Sequence, residues 1–165
     1  MRIESAKTAD LEQIEAIEQA GFNAAEAASL DTYRERLATL PDTFLVARAD
    51  DGHVLGFIVG PAVKERYVAD WMYEDTPKNL PTGGHQLVFT IAMAPETRGQ
   101  GIGSKLLTAL AEVATKAGRE SMSLTCLADR IPFYEKNGYV NAGVADSQHA
   151  DEVWFNMEKD LKRSV

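Results

Sequence analysis

"PETRGQGIGSKLL", residues 95–107, sets Gly99, Gly101 and Gly103 at alternate positions between an apolar run and an amphipathic one. Upstream, "HQLVFTIAMAP" is almost wholly apolar and reads as a central buried strand. Downstream, Leu106, Leu107, Leu110, Val113, Ala114 and Ala117 form a helical stripe that starts near Gly101 or Ile102, with Gly118 as the C′ residue. The glycines therefore fall where a strand gives way to a helix. Glycine in regular structure costs roughly 1 kcal/mol relative to alanine, and a plain turn needs only one. A dinucleotide fingerprint does not fit, because the third glycine arrives one residue early and no ribose-binding acid follows about 20 residues on. A Walker loop does not fit either, because the tail reads "GSK" and no second strand offers a magnesium-binding Asp. What remains is a nest of backbone N–H groups at a helix N-terminus, suited to an anion, with Arg98 and Lys105 to neutralise charge. Side chains at Gly101 and Gly103 are expected to occlude a pyrophosphate there.

Working outward, "RIESA" reads as a first strand. A helix carrying Leu11, Ile14, Ile17 and Ala20 follows, then a second opening at Ser29, a good N-cap, with Leu30, Tyr33, Leu37 and Leu40 on one face. Pro41 stops it. "TFLVARADDGHVLGFIVG" is a hairpin around Asp51-Gly52. From Pro61 to Gly84 periodicity disappears into a long, charged, aromatic stretch with one short helix around Ala69–Tyr73, the kind of segment that is often functional. "ESMSLTCLA" is a strand, "DRIPFYEKNGYV" a short helix ending at Gly138, and "YVNAGVA" and "DEVWFNMEKDL" two antiparallel strands. The order β-α-α-β-β-β-α-β-α-β-β predicts a mixed α/β fold: a central, mostly antiparallel sheet with helices on both faces.

A chain of 165 residues is expected to form one domain, residues 1–165. The net charge of −8 argues against nucleic acid and against an anionic membrane surface, and favours cationic ligands. A single cysteine, Cys126, excludes an internal disulfide framework and fits a reducing cytosol. The N-terminus lacks the apolar core of a signal peptide and no stretch reaches the length of a membrane span, so a cytoplasmic protein is expected.

"RGQGIG" resembles the R/Q-x-x-G-x-G/A phosphate loop of the GNAT acetyltransferase superfamily. The preceding "TIAMAP", the helix "SKLLTALAEVATKAG", the strand "SLTCL" and "PFYEKNGY" extend the resemblance over essentially the whole chain. "EAASLDTYRERLATLPDTFLVA", "GFIVG", "PTGGHQ" and "LTCLADRIPFY" are similar to the arylalkylamine, serotonin-type branch and its bacterial relatives.

The resemblance implies acetyl-CoA as co-substrate, no metal, and attack of an amine on the thioester in a ternary complex. The pyrophosphate would lie on Arg98, Gly99, Gln100, Gly101, Ile102, Gly103 and Ser104. The pantetheine arm would pair with the backbone of Ile91, Ala92 and Met93, with an N–H near Ile91 as the oxyanion donor. Tyr134 would protonate the leaving thiolate, with Phe133 beside it against the cofactor. The general base stays open. The two histidines that vertebrate members carry on the central strand correspond here to Leu87 and Phe89, which would line the acceptor side instead. His85, His149, Glu74 and Asp75 are candidates, each of which also reads as a solvated surface residue. The amine pocket is expected to be walled by Phe22, Trp71, Tyr73, Glu74 and Asp75 together with the "DSQHA" turn.

Three functions remain open on these grounds. They are a small-amine acetyltransferase, a protein acetyltransferase acting on an N-terminal or lysine amine, and a non-catalytic acyl-CoA-binding module. The oligomeric state is open too, a homodimer included.

Overall fold

The computed structural model describes residues 1–21, 28–146 and 152–161. Its elements run β1 (Arg2–Ser5), α1 (Leu11–Gly21), α2 (Leu30–Thr39), β2 (Phe44–Arg48), β3 (Val54–Val59), β4 (Ala62–Val63), α3 (Trp71–Glu74), β5 (His85–Leu87), β6 (Thr90–Met93), α4 (Ile102–Lys116), β7 (Ser121–Cys126), α5 (Ile131–Lys136), β8 (Val140–Val144) and β9 (Phe155–Asp160). They gather into two compact units, Met1–Gly60 with Thr90–Leu110, and Pro61–Phe89 with Ala111–Val165.

The first unit holds an antiparallel sheet in the order β1-β2-β3-β6. Strand alternation puts Phe44, Val46, Phe57, Val59 and Ala92 on one face, where they form a core with Leu11, Ile14 and Ile17 of α1 and Tyr33 of α2. Each Val, Leu, Ile or Phe side chain among them, removed from water, contributes about 1.5–3 kcal/mol. The Tyr33 ring meets Phe57 edge-on, with centroids 5.3 Å apart. On the opposite face Gly56 admits the start of α4: a Cβ there would lie 3.4 Å from Ile102 Cγ2 and 2.9 Å from the Ala92 carbonyl oxygen. α2 starts as the sequence predicts, with Thr32 N–H donating to the Ser29 hydroxyl at 3.2 Å. The least expected feature is a buried ion pair. Arg48 donates to both oxygens of Asp10 at 2.9 and 2.8 Å, and also to Glu4 and to the Gly52 carbonyl.

The second unit holds a five-stranded sheet, β4-β5-β7-β9-β8, in which β5 and β7 are the parallel pair. Val63, Met72, Leu87 and Phe89 form a small core, with Val68, Ala69 and Tyr73 against it. Buried Arg119 fastens the approach to β5 by donating to the carbonyls of Gly83 at 2.9 Å and Leu80 at 2.7 Å. α4 ends in a Schellman motif, as Gly118 predicts: φ is 75° there, Gly118 N–H donates to Thr115 and Arg119 N–H to Ala114.

The mixed, mostly antiparallel α/β fold expected from the sequence is present, in the expected element order. Two elements differ. "HQLVFTIAMAP" is two strands: β5 joins the five-stranded sheet, β6 the four-stranded one, and Val88–Phe89 lie between them. The stretch from Pro61 to Gly84 also supplies a short extra strand, β4. No helix among the described residues is long and apolar enough to cross a membrane.

Candidate functional site

The loop between β6 and α4 begins with a tight turn at Pro95–Thr97, where the Thr97 hydroxyl donates to the Ala94 carbonyl at 2.8 Å. Gly99 and Gly101 then take φ of 83° and 78°, a region that favours glycine. A Cβ at either would meet nothing within 4 Å, so the dihedral, and not crowding from within the protein, calls for glycine there. Gly103 differs from both: it is buried in the first turn of α4. The first bond into the helix is Lys105 N–H to the Gly101 carbonyl at 3.2 Å. That leaves the N–H groups of Gly101, Ile102, Gly103 and Ser104 without a partner among the described residues. These are the orphan donors of a helix start, and the first turn of α4 carries no acid to compensate its positive end. The loop residues Arg98, Gly99, Gln100 and Gly101 are exposed. The Arg98 guanidinium reaches back to the end of α1, where a Cβ on Gly21 would sit 3.8 Å from Nη2.

β6 ends its sheet, and the ladder fixes what its outer edge offers. Ala94 N–H donates to the Leu55 carbonyl at 2.8 Å, and the register pairs Ala92 with Phe57 and Thr90 with Val59. In an antiparallel ladder these alternate residues exchange bonds with the neighbour and those between them point away. Ile91 and Met93 therefore present N–H and C=O groups outward, a template for an amide-bearing ligand, whereas Ala92 spends its own on β3. An anion nest and an open strand edge thus follow one another within a few residues.

In the second unit, Tyr134 lies on α5 at 8% exposure, its ring 5.0 Å from Phe133 and 5.9 Å from Tyr139. Burial pushes its phenol far above the usual range, with Cys126 adding to the effect, so it carries its proton at any ordinary pH. Burial also pushes the Cys126 thiol up to about 11, which makes it a neutral core side chain and no nucleophile. His85 stands at the start of β5 with Nδ1 2.7 Å from the Ser121 hydroxyl and Nε2 3.8 Å from Glu120 Oε2. Tyr73 stacks on Phe89 at 4.9 Å, Leu87 is fully enclosed in the small core, and Trp71 is 49% exposed. Glu74 and Asp75 are exposed at the end of α3. Phe22 and His149 lie outside the described residues.

Sequence reading missed Glu18, Arg36 and Thr90, a polar group inside the first unit. Arg36 stands three residues after Tyr33 and four before Leu40, on the buried face of α2, and that spacing is the signal that could have found it.

The model of the acetyltransferase (GNAT) family matches residues 11–139, and the chain belongs to that family, whose activity is acyl-CoA-dependent N-acetyl transfer. Among solved structures it is similar to Ard1 from Thermoplasma volcanium (22% identity, TM-score 0.76, 98% of each chain covered). It is also similar to Chaetomium thermophilum Naa20 in complex with a bisubstrate analogue (25% identity, TM-score 0.72, 99% of this chain and 88% of that one). A third is an aminoglycoside 6'-N-acetyltransferase complexed with coenzyme A (17% identity, TM-score 0.74, 100% and 99%). The third is named for a small-molecule acceptor, an aminoglycoside, and the arylalkylamine branch rests on the sequence motifs alone.

Proposed function

We propose that residues 1–165 act as one cytoplasmic N-acetyltransferase domain that moves the acetyl group of acetyl-CoA to the primary amine of a small molecule, an arylalkylamine or a polyamine. The observation that carries the reading is the run of free N–H groups at Gly101–Ser104, directly after the open edge of β6. A diphosphate would accept from those donors, with Lys105 and the loop's Arg98 adding charge. The two amides of a pantetheine arm would pair with Ile91 and Met93, and the Ile91 N–H would hold the developing oxyanion. The amine nitrogen attacks the thioester carbon, a C–N bond forms, and collapse of the tetrahedral intermediate breaks the C–S bond. Tyr134, kept protonated by burial, gives its proton to the departing sulfur. The proton shed by the ammonium goes to a base. His85 would serve in the tautomer whose Nδ1–H donates to Ser121, since that one carries the lone pair on Nε2.

A small acceptor is favoured by the net charge of −8 and by Trp71 and Tyr73 close in sequence to Asp70, Glu74 and Asp75, an arrangement that can hold an apolar body and an ammonium. A protein amine, N-terminal or lysine, is the second reading.

Two measurements test the proposal. Gly101→Val places a branched residue at φ of 78° in the loop and is expected to weaken CoA binding by at least about 10-fold by calorimetry, with the fold retained. Unchanged affinity removes the loop from the CoA site. Steady-state assays with phenylethylamine, a diamine and a lysine-bearing peptide are expected to show turnover of a small amine, and acetylation of the peptide alone turns the assignment to the second reading.

A further inference from the structure

Behind β6 lies a buried polar group that none of the roles above uses. Glu18 of α1 is 3% exposed, and its Oε1 accepts from Ala28 N–H at 2.9 Å. Arg36 of α2 is equally buried, with its guanidinium carbon 5.1 Å from the centre of the Tyr33 ring. Arg36 Nη1 donates to the Thr90 hydroxyl at 3.4 Å. The Tyr33 hydroxyl lies within reach of both the Glu18 carboxyl and Thr90. Among the described residues, neither Glu18 Oε2 nor that hydroxyl has a well-aligned bond of its own.

Such a cluster is an expensive way to fill a core. Buried charges cost several kcal/mol in lost hydration, and a well-packed apolar replacement is often as stable. Its location points to what it does. Thr90 is the first residue of β6, an edge strand that pairs with β3 alone among the described residues. Its side chain shares the face of Phe44 and Val59, towards α1 and α2, and the next residue, Ile91, is the first to point N–H and C=O out of the edge. A donor that must meet a developing charge has to be held to about 0.5 Å by neighbours that are themselves locked by packing and hydrogen bonds.

We infer that Arg36, held against the Tyr33 ring, is a positioning residue that grips Thr90 from beneath and fixes the Ile91 N–H for the reaction. This rests on the acetyl-transfer reading and adds to it residues that touch neither substrate. The grip acts on kcat and not on CoA affinity, because the pyrophosphate donors lie beyond β6, at the start of α4.

Thr90→Val keeps the shape and removes the hydroxyl. The expected result is a folded protein with a CoA dissociation constant within about twofold of the parent, acetyl-CoA KM little changed, and kcat lowered by about 10-fold. Thr90→Ser is expected to restore kcat, and Arg36→Lys, which keeps the charge and loses the planar fork, to lower it like Thr90→Val. Parental kcat in Thr90→Val overturns the inference. So does a Thr90→Ser variant as slow as Thr90→Val, since the methyl contact would then be what matters, and so does a loss of CoA affinity in proportion to kcat. Amide hydrogen exchange at Ala92, whose N–H is the one in residues 91–93 bonded to β3, measured without substrate, separates this idea from the one beneath it. Exchange is expected to speed up about 10-fold in Thr90→Val. If the parent protein binds no CoA, the acetyl-transfer reading falls and the exchange result alone decides whether the grip exists; unchanged exchange refutes it.

Discussion

Replacing Arg48 by methionine is expected to destabilise the protein by about 3–5 kcal/mol at neutral pH, the range for removing one partner of a buried ion pair. Arg48 bonds both oxygens of Asp10, and their side chains are 7% and 5% exposed. Methionine fills much of the volume, so the loss reports the stranded carboxylate more than a cavity. The pH dependence identifies the cause. In the parent, desolvation alone would raise the Asp10 carboxyl, but the bonds from Arg48 and from Lys7 N–H outweigh it and hold the group below its ordinary value. A carboxyl depressed in the folded state contributes stability that is present above its unfolded value and lost as pH falls through the folded one. Without Arg48 only the desolvation and the Lys7 bond remain, and protonated Asp10 tolerates burial better than the anion. The difference between parent and variant in urea denaturation should therefore be largest near pH 7 and shrink below about pH 4. Asp10→Asn in the Arg48→Met background should recover part of the loss. A variant within 1 kcal/mol of the parent across that pH range would show that the pair does not hold the unit together.

This pair also shows where reading the sequence stops. Asp10 opens a helix and Arg48 ends a strand, and each reads locally as a solvated charge; only the register of β1, β2 and β3 brings them together. The glycine loop is the opposite case. Its turn, helix start and Schellman end are all local events, each with its own residue signal, and each falls where the sequence puts it. "HQLVFTIAMAP" lies between these cases. A run buried on both faces shows no alternation, so nothing in it marks Val88–Phe89 as the place where it leaves one sheet for the other. His85 is legible as a histidine at a strand start. Its partner is not, because Ser121 comes beside it only through the parallel pairing of β5 with β7. Arg36 was hidden by its charge: its spacing is that of a core residue, and a charged side chain at a core position is read as an exception until the structure supplies Glu18, Tyr33 and Thr90.

Tyr134→Phe is expected to lower kcat by about 10²-fold while leaving CoA affinity and the melting temperature close to those of the parent. The substitution removes one oxygen. The ring contacts with Phe133 and Tyr139 do not depend on it, and the hydroxyl makes no hydrogen bond among the described residues, so packing gives no reason for the fold to suffer. The chemistry gives a reason for the rate to suffer. A departing CoA thiolate is a base in search of a proton, and a phenol raised by burial is always protonated when the sulfur leaves. That same shift fixes the pH behaviour. Because the acid stays charged with its proton far above neutrality, the parent's rate should show no alkaline fall below about pH 10, and any rise with pH reports the amine or its base. Phenylalanine leaves the thiolate to find its proton in water, which should make kcat sensitive to the leaving group. An acyl donor with a more acidic thiol should suffer less from the substitution than acetyl-CoA does. A folded Tyr134→Phe variant that turns over at the parental rate with acetyl-CoA would return Tyr134 to the core of α5 and leave the leaving sulfur without a donor in this chain.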